Sequence, residues 1–213
     1  MSALHERYRP RTLAEFVGQD RAVQALRRII DRPDFAGDAF WIVGPSGVGK
    51  TTLAWIIARQ FAKCEIDVTE LDGEACTVDA VREAARMMRY SAMGGGFRVW
   101  IVNEAQAMTP KAVQAWLTAL DPVPARVIVI FTTTADSADL FGEYEGPFRS
   151  RCKPVQFTNQ GLAPLFAKRA REIALAENLD GKPEAAYLKL VQRCHNNMRA
   201  VLQAIEMGEM AEG

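Results

Sequence analysis

The 213 residues are 49% hydrophobic and 24% charged, the composition of an ordinary packed chain with room for one large or two small domains, which excludes disordered and collagen-like classes. Twenty-six Lys and Arg offset twenty-six Asp and Glu, so no global field favours nucleic acid or membrane and any basic surface must be local. The longest apolar stretches, such as Phe40 to Val43 and Val127 to Phe131, fall far short of a membrane helix, and the N-terminus carries charges where a signal peptide would be apolar. The expectation is a soluble, cytoplasmic protein with no membrane partner. Cysteines at 64, 76, 152 and 194 lack the spacing of a zinc site and are too few for a disulfide framework, so they read as buried, reduced thiols.

Taken along the chain, short apolar runs alternate with helical patterns, the signature of an α/β fold whose parallel sheet is covered by helices. Asp20 opens a helix with Val23, Leu26 and Ile30 inward, ended by Pro33. Phe40 to Val43 is a buried strand, followed by a Gly-rich turn and a helix from Lys50 to about Phe61 with Leu53, Ile56 and Ile57 inward. A strand near Val68 to Leu71 leads to a helix over Val78 to Tyr90, and Gly94-Gly95-Gly96 precedes a strand over Val99 to Val102. Thr109 caps the next helix with Pro110 at its first position and Val113, Trp116, Leu117 and Leu120 on one face; Asp121-Pro122 stops it. Val127 to Phe131 is a further buried strand, and the stretch on to Gly146-Pro147 reads as loop. Beyond Phe157 only helical patterns follow, over Leu162 to Glu177, Pro183 to His195 and Met198 to Met210. The expected division is a core over 1–157 and a small three-helix unit over 158–213 that leans on it.

Gly44-Pro45-Ser46-Gly47-Val48-Gly49-Lys50-Thr51 is a full P-loop match, lying between a strand and a helix as the mechanism needs. Its backbone N–H groups wrap phosphates, helped by the helix dipole, with Thr52 continuing the helix start. Lys50 reaches the β- and γ-phosphates of ATP, and the Thr51 hydroxyl binds Mg²⁺. Such a site also needs carboxylates at the end of a neighbouring strand, one for the metal's water shell and one for the attacking water. In Val102-Asn103-Glu104 the metal position is Asn103, an amide without charge, while Glu104 can still serve as base. Weaker Mg²⁺ retention and slower hydrolysis follow, with binding surviving better than turnover.

Tyr8-Arg9-Pro10, Phe16-Val17-Gly18-Gln19, the P-loop, Glu70-Leu71-Asp72, Asn103-Glu104-Ala105 and Ser150-Arg151-Cys152, in that order, resemble the clamp-loader branch of the AAA+ ATPases: replication factor C subunits and the bacterial clamp-loader ATPase subunit. The resemblance runs over nearly the whole chain. It implies an ATPase core and a helical lid working in a homo- or hetero-oligomer whose nucleotide sits between neighbours, acting on DNA and a sliding clamp. Carried onto this sequence, Arg151 is an arginine finger reaching the γ-phosphate of the adjacent subunit in trans. Thr134 is the polar sensor, with Thr132 and Thr133 close enough in sequence to shift that assignment. Arg199 is the lid arginine that touches the phosphates, preceded by Asn196-Asn197 where the family has glycine; Asn tolerates the same left-handed backbone. Tyr8, Arg9 and Pro10 pack around the adenine, with Val17 and Gly18 nearest the base.

For DNA, Arg82, Arg86 and Arg89 recur at helical spacing, opposite Val81, Ala85 and Met88, and Lys111 stands at a helix start; a solvated helix face accounts for the three arginines equally well. Family members continue into a helical collar, and the bacterial subunit carries a cysteine-rich zinc insert; this sequence has no such insert and ends at Gly213. Either it is a piece of a longer chain or assembly relies on the ATPase interfaces alone, in which case oligomerisation leans more heavily on nucleotide and on Arg151. Two alternatives keep the fold: a nucleotide-switched DNA-binding regulator of transposition or repair type, and a structural subunit in which Asn103 has abolished hydrolysis.

Overall fold

The computed structural model describes residues 2–134 and 144–211. Five parallel strands, β1 (Gly37–Val43), β2 (Val68–Asp72), β3 (Arg98–Asn103), β4 (Val127–Thr133) and β5 (Lys153–Gln156), form one sheet in the order β2-β3-β4-β1-β5. The helices are α1 (Leu4–Arg7), α2 (Asp20–Ile30), α3 (Lys50–Phe61), α4 (Val78–Met87), α5 (Pro110–Ala119), α6 (Glu145–Arg151), α7 (Leu162–Ala176), α8 (Glu184–Arg193) and α9 (Met198–Glu206).

Alternation along the central strands divides the core into two layers, because successive side chains leave a strand on opposite faces. Phe40, Ile42, Ile101, Ile128 and Ile130 face α2 and α3 in one apolar cluster. Trp41, Trp100, Val102, Val129 and Phe131 face α4, α5 and α6 in the other. Two indoles in this second layer have satisfied N–H groups: Trp41 Nε1 donates to Thr133 Oγ1 at 3.2 Å and Trp116 Nε1 to Cys76 Sγ at 3.1 Å. Helices α7, α8 and α9 share the first cluster through Phe166, Tyr187 and Val201. The N-terminal α1 packs on α9, and Tyr8 Oη donates to Glu177 at 2.5 Å while Arg7 pairs with the same carboxylate.

Several sequence expectations need correction. Lys153–Gln156 adds a fifth strand at the edge beside β1, too short and too exposed on most positions to carry an apolar run. Glu145–Arg151 is helical rather than loop: Pro147 is its third residue, where a missing N–H costs no intrahelical bond. Residues 135–143, most of the remaining expected loop, lie outside those described. On α4 the buried residues are Val81 and Ala84, with Met88 just beyond, and Ala85 is only half-buried; on α5 Ala112, Val113 and Trp116 are buried and Leu117 is half-buried against the same cluster. Only Cys76 and Cys152 are buried; Cys64 is exposed and Cys194 intermediate, and all four are free thiols.

Candidate nucleotide site

The loop after β1 and the start of α3 form one wall of a cleft whose other walls are the N-terminal segment and helices α7 and α9. Its lining is part polar and part apolar, the mixture common in ligand clefts. Ser46 through Thr52 line it. Gly47 (φ +75°) and Gly49 (φ +103°, the residue capping α3) adopt left-handed backbone that side chains resist, and this curls the loop around the helix N-terminus. Gly44 and Pro45 do not line the cleft; their carbonyl oxygens accept bonds from Lys50 Nζ at 2.8 and 2.7 Å. Lys50 is only 6% exposed. Burial pulls its ammonium down to about 8, partly opposed by the Glu104 carboxylate.

Asn103, which does not itself line the cleft, accepts the hydroxyls of Thr51 at 3.0 Å and Thr132 at 3.1 Å through its Oδ1. Its amide nitrogen donates to Glu70 Oε1 at 2.6 Å. The groups gathered here are hydroxyl, amide and carboxylate oxygens, the hard donor set that suits Mg²⁺, an ion held by one or two protein oxygens together with substrate phosphates. Among the described residues no cluster of His, Cys, Asp and Glu builds a metal cage without substrate.

Glu104 follows β3 with φ +48°, a left-handed conformation uncommon for a non-glycine residue and characteristic of strained functional turns. Its Oε2 accepts Thr134 Oγ1 at 3.0 Å and Gln106 Nε2 at 2.5 Å, and Gln106 Nε2 also lies 2.7 Å from Thr134 Oγ1. The three consecutive threonines thus have separate partners: Thr132 bonds Asn103, Thr133 bonds Trp41, and Thr134 faces Glu104. Gln106 has no counterpart among the expected site residues; it lies two positions beyond Glu104 and turns back onto it.

Tyr8, Arg9, Pro10 and Val17 line the apolar half of the cleft. Gly18 does not: it packs against Leu162 and Phe166 of α7, with a φ of +79° that favours glycine. Phe16, Phe166, Ile173 and Leu202 complete this half, and Arg169 joins Arg9 and Arg199 as a lining cation. Asn196 is left-handed (φ +60°), as is His195 (φ +52°), whereas Asn197 caps α9 by accepting Ala200 N at 3.2 Å. Met198 N donates to Gly47 O at 3.2 Å, tying α9, which carries Arg199, to the phosphate loop.

Arg151 is not among the residues lining this cleft. Its guanidinium bonds Asp121 Oδ2 at 2.7 Å and Pro147 O at 3.1 Å. Between α4 and α5 lies a second, open groove bordered by Arg82, Arg89 and Lys111 together with Ala85 and Asp121. Arg86 is not part of it; it forms a bidentate pair with Glu83, and Arg82 is paired with Asp79 at 3.2 Å. The three arginines expected on one stripe therefore divide, with Ala85 beside Arg82 and Arg89 rather than opposite them.

A parallel sheet with a phosphate loop after its inner strand β1 and polar residues at the ends of β3 and β4 defines a P-loop nucleotide-binding fold. Residues 40–159 match the ATPase family associated with various cellular activities (AAA), and the chain belongs to that family. The replication factor C small subunit of Methanosphaera stadtmanae is 28% identical over 214 residues, covering 97% of this chain and 63% of its own length. DNA polymerase III subunit gamma/tau of Mycobacterium tuberculosis is 33% identical over 156 residues, covering 62% of this chain and 27% of its own. These are the two kinds of subunit that the motifs resemble, and this chain spans less than two thirds of either. Variants of Thermotoga maritima RuvB superpose with a TM-score of 0.73 at 19% identity, over 93% of this chain and 64% of theirs, a likeness of fold. Among the described residues no helix is long and apolar enough to cross a membrane.

Proposed function

We propose that this chain is a clamp-loader-type ATPase module of the cytoplasm, with residues 1–157 as its nucleotide core and 158–213 as its lid, which binds Mg·ATP between subunits and uses it to control assembly on DNA or on a protein partner such as a sliding clamp. The observation that carries this reading is the division of the chemistry over one molecule: the phosphate loop, Thr51 and Glu104 line one cleft, with Asn103 bonded to Thr51 beside it, whereas Arg151 lies outside it and in this reading serves a neighbour's site.

In this reading the loop amides and Lys50 bind the phosphates, and Arg199 sets the lid against them. Thr51 and Asn103 hold Mg²⁺, which when bound neutralises phosphate charge. Glu104, steadied by Thr134 and Gln106, accepts the proton of the attacking water as that oxygen bonds the γ-phosphorus and ADP departs. Arg151 of the adjacent subunit offsets the charge developing on the transferred group. Arg82, Arg89 and Lys111 offer a short phosphate-following strip for DNA. The amide at 103 supports slow turnover, and so favours a second reading in which ATP acts mainly as an assembly switch for a DNA-bound regulator.

Steady-state ATPase assays with and without duplex and primed DNA, on wild type, Arg151→Ala and Glu104→Gln, test the proposal. Turnover stimulated by DNA and abolished in both variants supports it. Tight ATP binding with no turnover under any condition favours the switch; absence of ATP binding refutes both.

A further inference from the structure

The first residue of Glu70-Leu71-Asp72 stands beside Asn103 in the β2–β3 register. We infer that Glu70 is the carboxylate of the metal site, displaced by one strand: it supplies through Asn103 the negative charge that position 103 itself lacks. The inference rests on the Mg·ATP reading above.

In the β2–β3 register Asp72 pairs with Asn103 and Glu70 with Ile101, so Glu70 is the diagonal same-face neighbour of Asn103. The second anchor comes from α3: Trp55, one turn beyond Thr51 on the same helix face, donates its indole N–H to Glu70 Oε1 at 3.1 Å. That oxygen also receives the Asn103 amide at 2.6 Å, while the carbonyl of the same amide receives Thr51 Oγ1 at 3.0 Å. A continuous path therefore runs from the Thr51 hydroxyl through the Asn103 amide to the Glu70 carboxylate. A carboxylate on the N–H side of an amide polarises it and deepens the negative charge on its oxygen. Glu70 also adds a full charge close to the metal position without occupying it. Among the described residues no bond is made to Glu70 Oε2, so the carboxylate is not consumed by another ion pair.

This arrangement explains why an amide stands at 103. An aspartate there would place a carboxylate oxygen where an N–H now meets Glu70, and the two like charges would have to part. Asn103→Asp on its own is then a poor repair, whereas exchanging the two groups in Asn103→Asp/Glu70→Gln keeps both the charge and the hydrogen bond, with the amide now donating from position 70.

The test is the Mg²⁺ concentration that gives half-maximal enhancement of binding of a fluorescent ATP analogue, alongside its affinity in EDTA. Glu70→Gln is expected to raise the Mg²⁺ midpoint on the order of tenfold without weakening binding in EDTA. The exchanged double variant is expected to return to near the wild-type midpoint, and Asn103→Asp alone to do worse than the double variant. Glu70 is exposed, so these variants should fold, and Trp55→Phe, which removes the other donor and leaves the charge, should shift the midpoint far less than Glu70→Gln. An unchanged midpoint in Glu70→Gln, or no recovery in the double variant, overturns the inference while the ATP reading stands. Wild type that binds no nucleotide even in EDTA overturns the reading and the inference together.

Discussion

Gly47 is where the phosphate loop meets the start of α9, and substituting it separates two costs. At φ +75° an alanine is strained by about 1–2 kcal/mol. Its methyl would also be built into the side chain of Asn197, which caps α9 through the Ala200 amide at 3.2 Å; losing a cap of this kind costs about 1 kcal/mol. Gly47→Ala should therefore destabilise the protein by about 2–3 kcal/mol, a fall in Tm of roughly 5–10 °C for a chain of this size. Asn197→Gly clears the space and forfeits only part of the cap, since glycine is itself tolerated there at a cost of a few tenths of a kcal/mol relative to the best caps. In the double variant Gly47→Ala/Asn197→Gly the steric part disappears, so the two changes should be less than additive by about 1 kcal/mol. Thermal melting of the four proteins measures that coupling, and ATP titration should report it again as partial recovery of affinity. Strictly additive losses would refute the claim that Gly47 and Asn197 constrain one another.

Burial holds the Lys50 ammonium down to about 8, and bound phosphates would hold its proton to higher pH. ATP affinity should thus be flat below pH 8 and fall by up to tenfold per unit above it, with proton uptake on binding in calorimetry at pH 9; affinity unchanged from pH 7 to 9.5 contradicts this. Thr134→Val removes the hydroxyl that donates to Glu104 at 3.0 Å and should lower kcat ten- to a hundredfold, the worth of a hydrogen bond to a charged group at about 1.5–3 kcal/mol. KM should barely move, and an equal loss of affinity would count against it. Asp121→Ala releases Arg151 from its own chain; with Asp121 63% exposed, stability should change by under about 1 kcal/mol. Turnover at low protein concentration should rise severalfold, and a fall matching Arg151→Ala would mean that Asp121 positions the finger rather than withholding it.

What was legible in the sequence was what is contiguous. The phosphate loop, its flanking strand and helix, and the Asn103-Glu104 pair are local signals, and their positions follow from strand-to-helix periodicity alone. The apolar half of the cleft was half legible: Tyr8 to Val17 came from the resemblance, whereas Phe166, Arg169, Ile173 and Leu202 reach it only because α7 and α9 fold back over the sheet. Glu70 and Gln106 escaped for related reasons. The first depends on the register of β2 against β3, and the second on a left-handed turn at Glu104 that no glycine announces. The strand over Lys153–Gln156 starts with Lys-Pro and buries one residue, which leaves no period to read. The arginine stripe divides in the structure: Arg86 turns to Glu83 and is off the groove, whereas Arg82 borders it although paired with Asp79.

The central claim is that nucleotide governs assembly through a site completed in trans, and the molecular mass of the protein in solution tests it most directly. Sedimentation of wild type, Lys50→Ala and Arg151→Ala should be followed with Mg·ATP, with Mg·ADP and without nucleotide, each with and without DNA. The account requires wild type to assemble with Mg·ATP and to dissociate with ADP, Lys50→Ala to remain unassembled, and Arg151→Ala to bind ATP yet assemble poorly. A wild-type mass that is the same in all conditions while ATP is bound, or full assembly of Arg151→Ala, would contradict it.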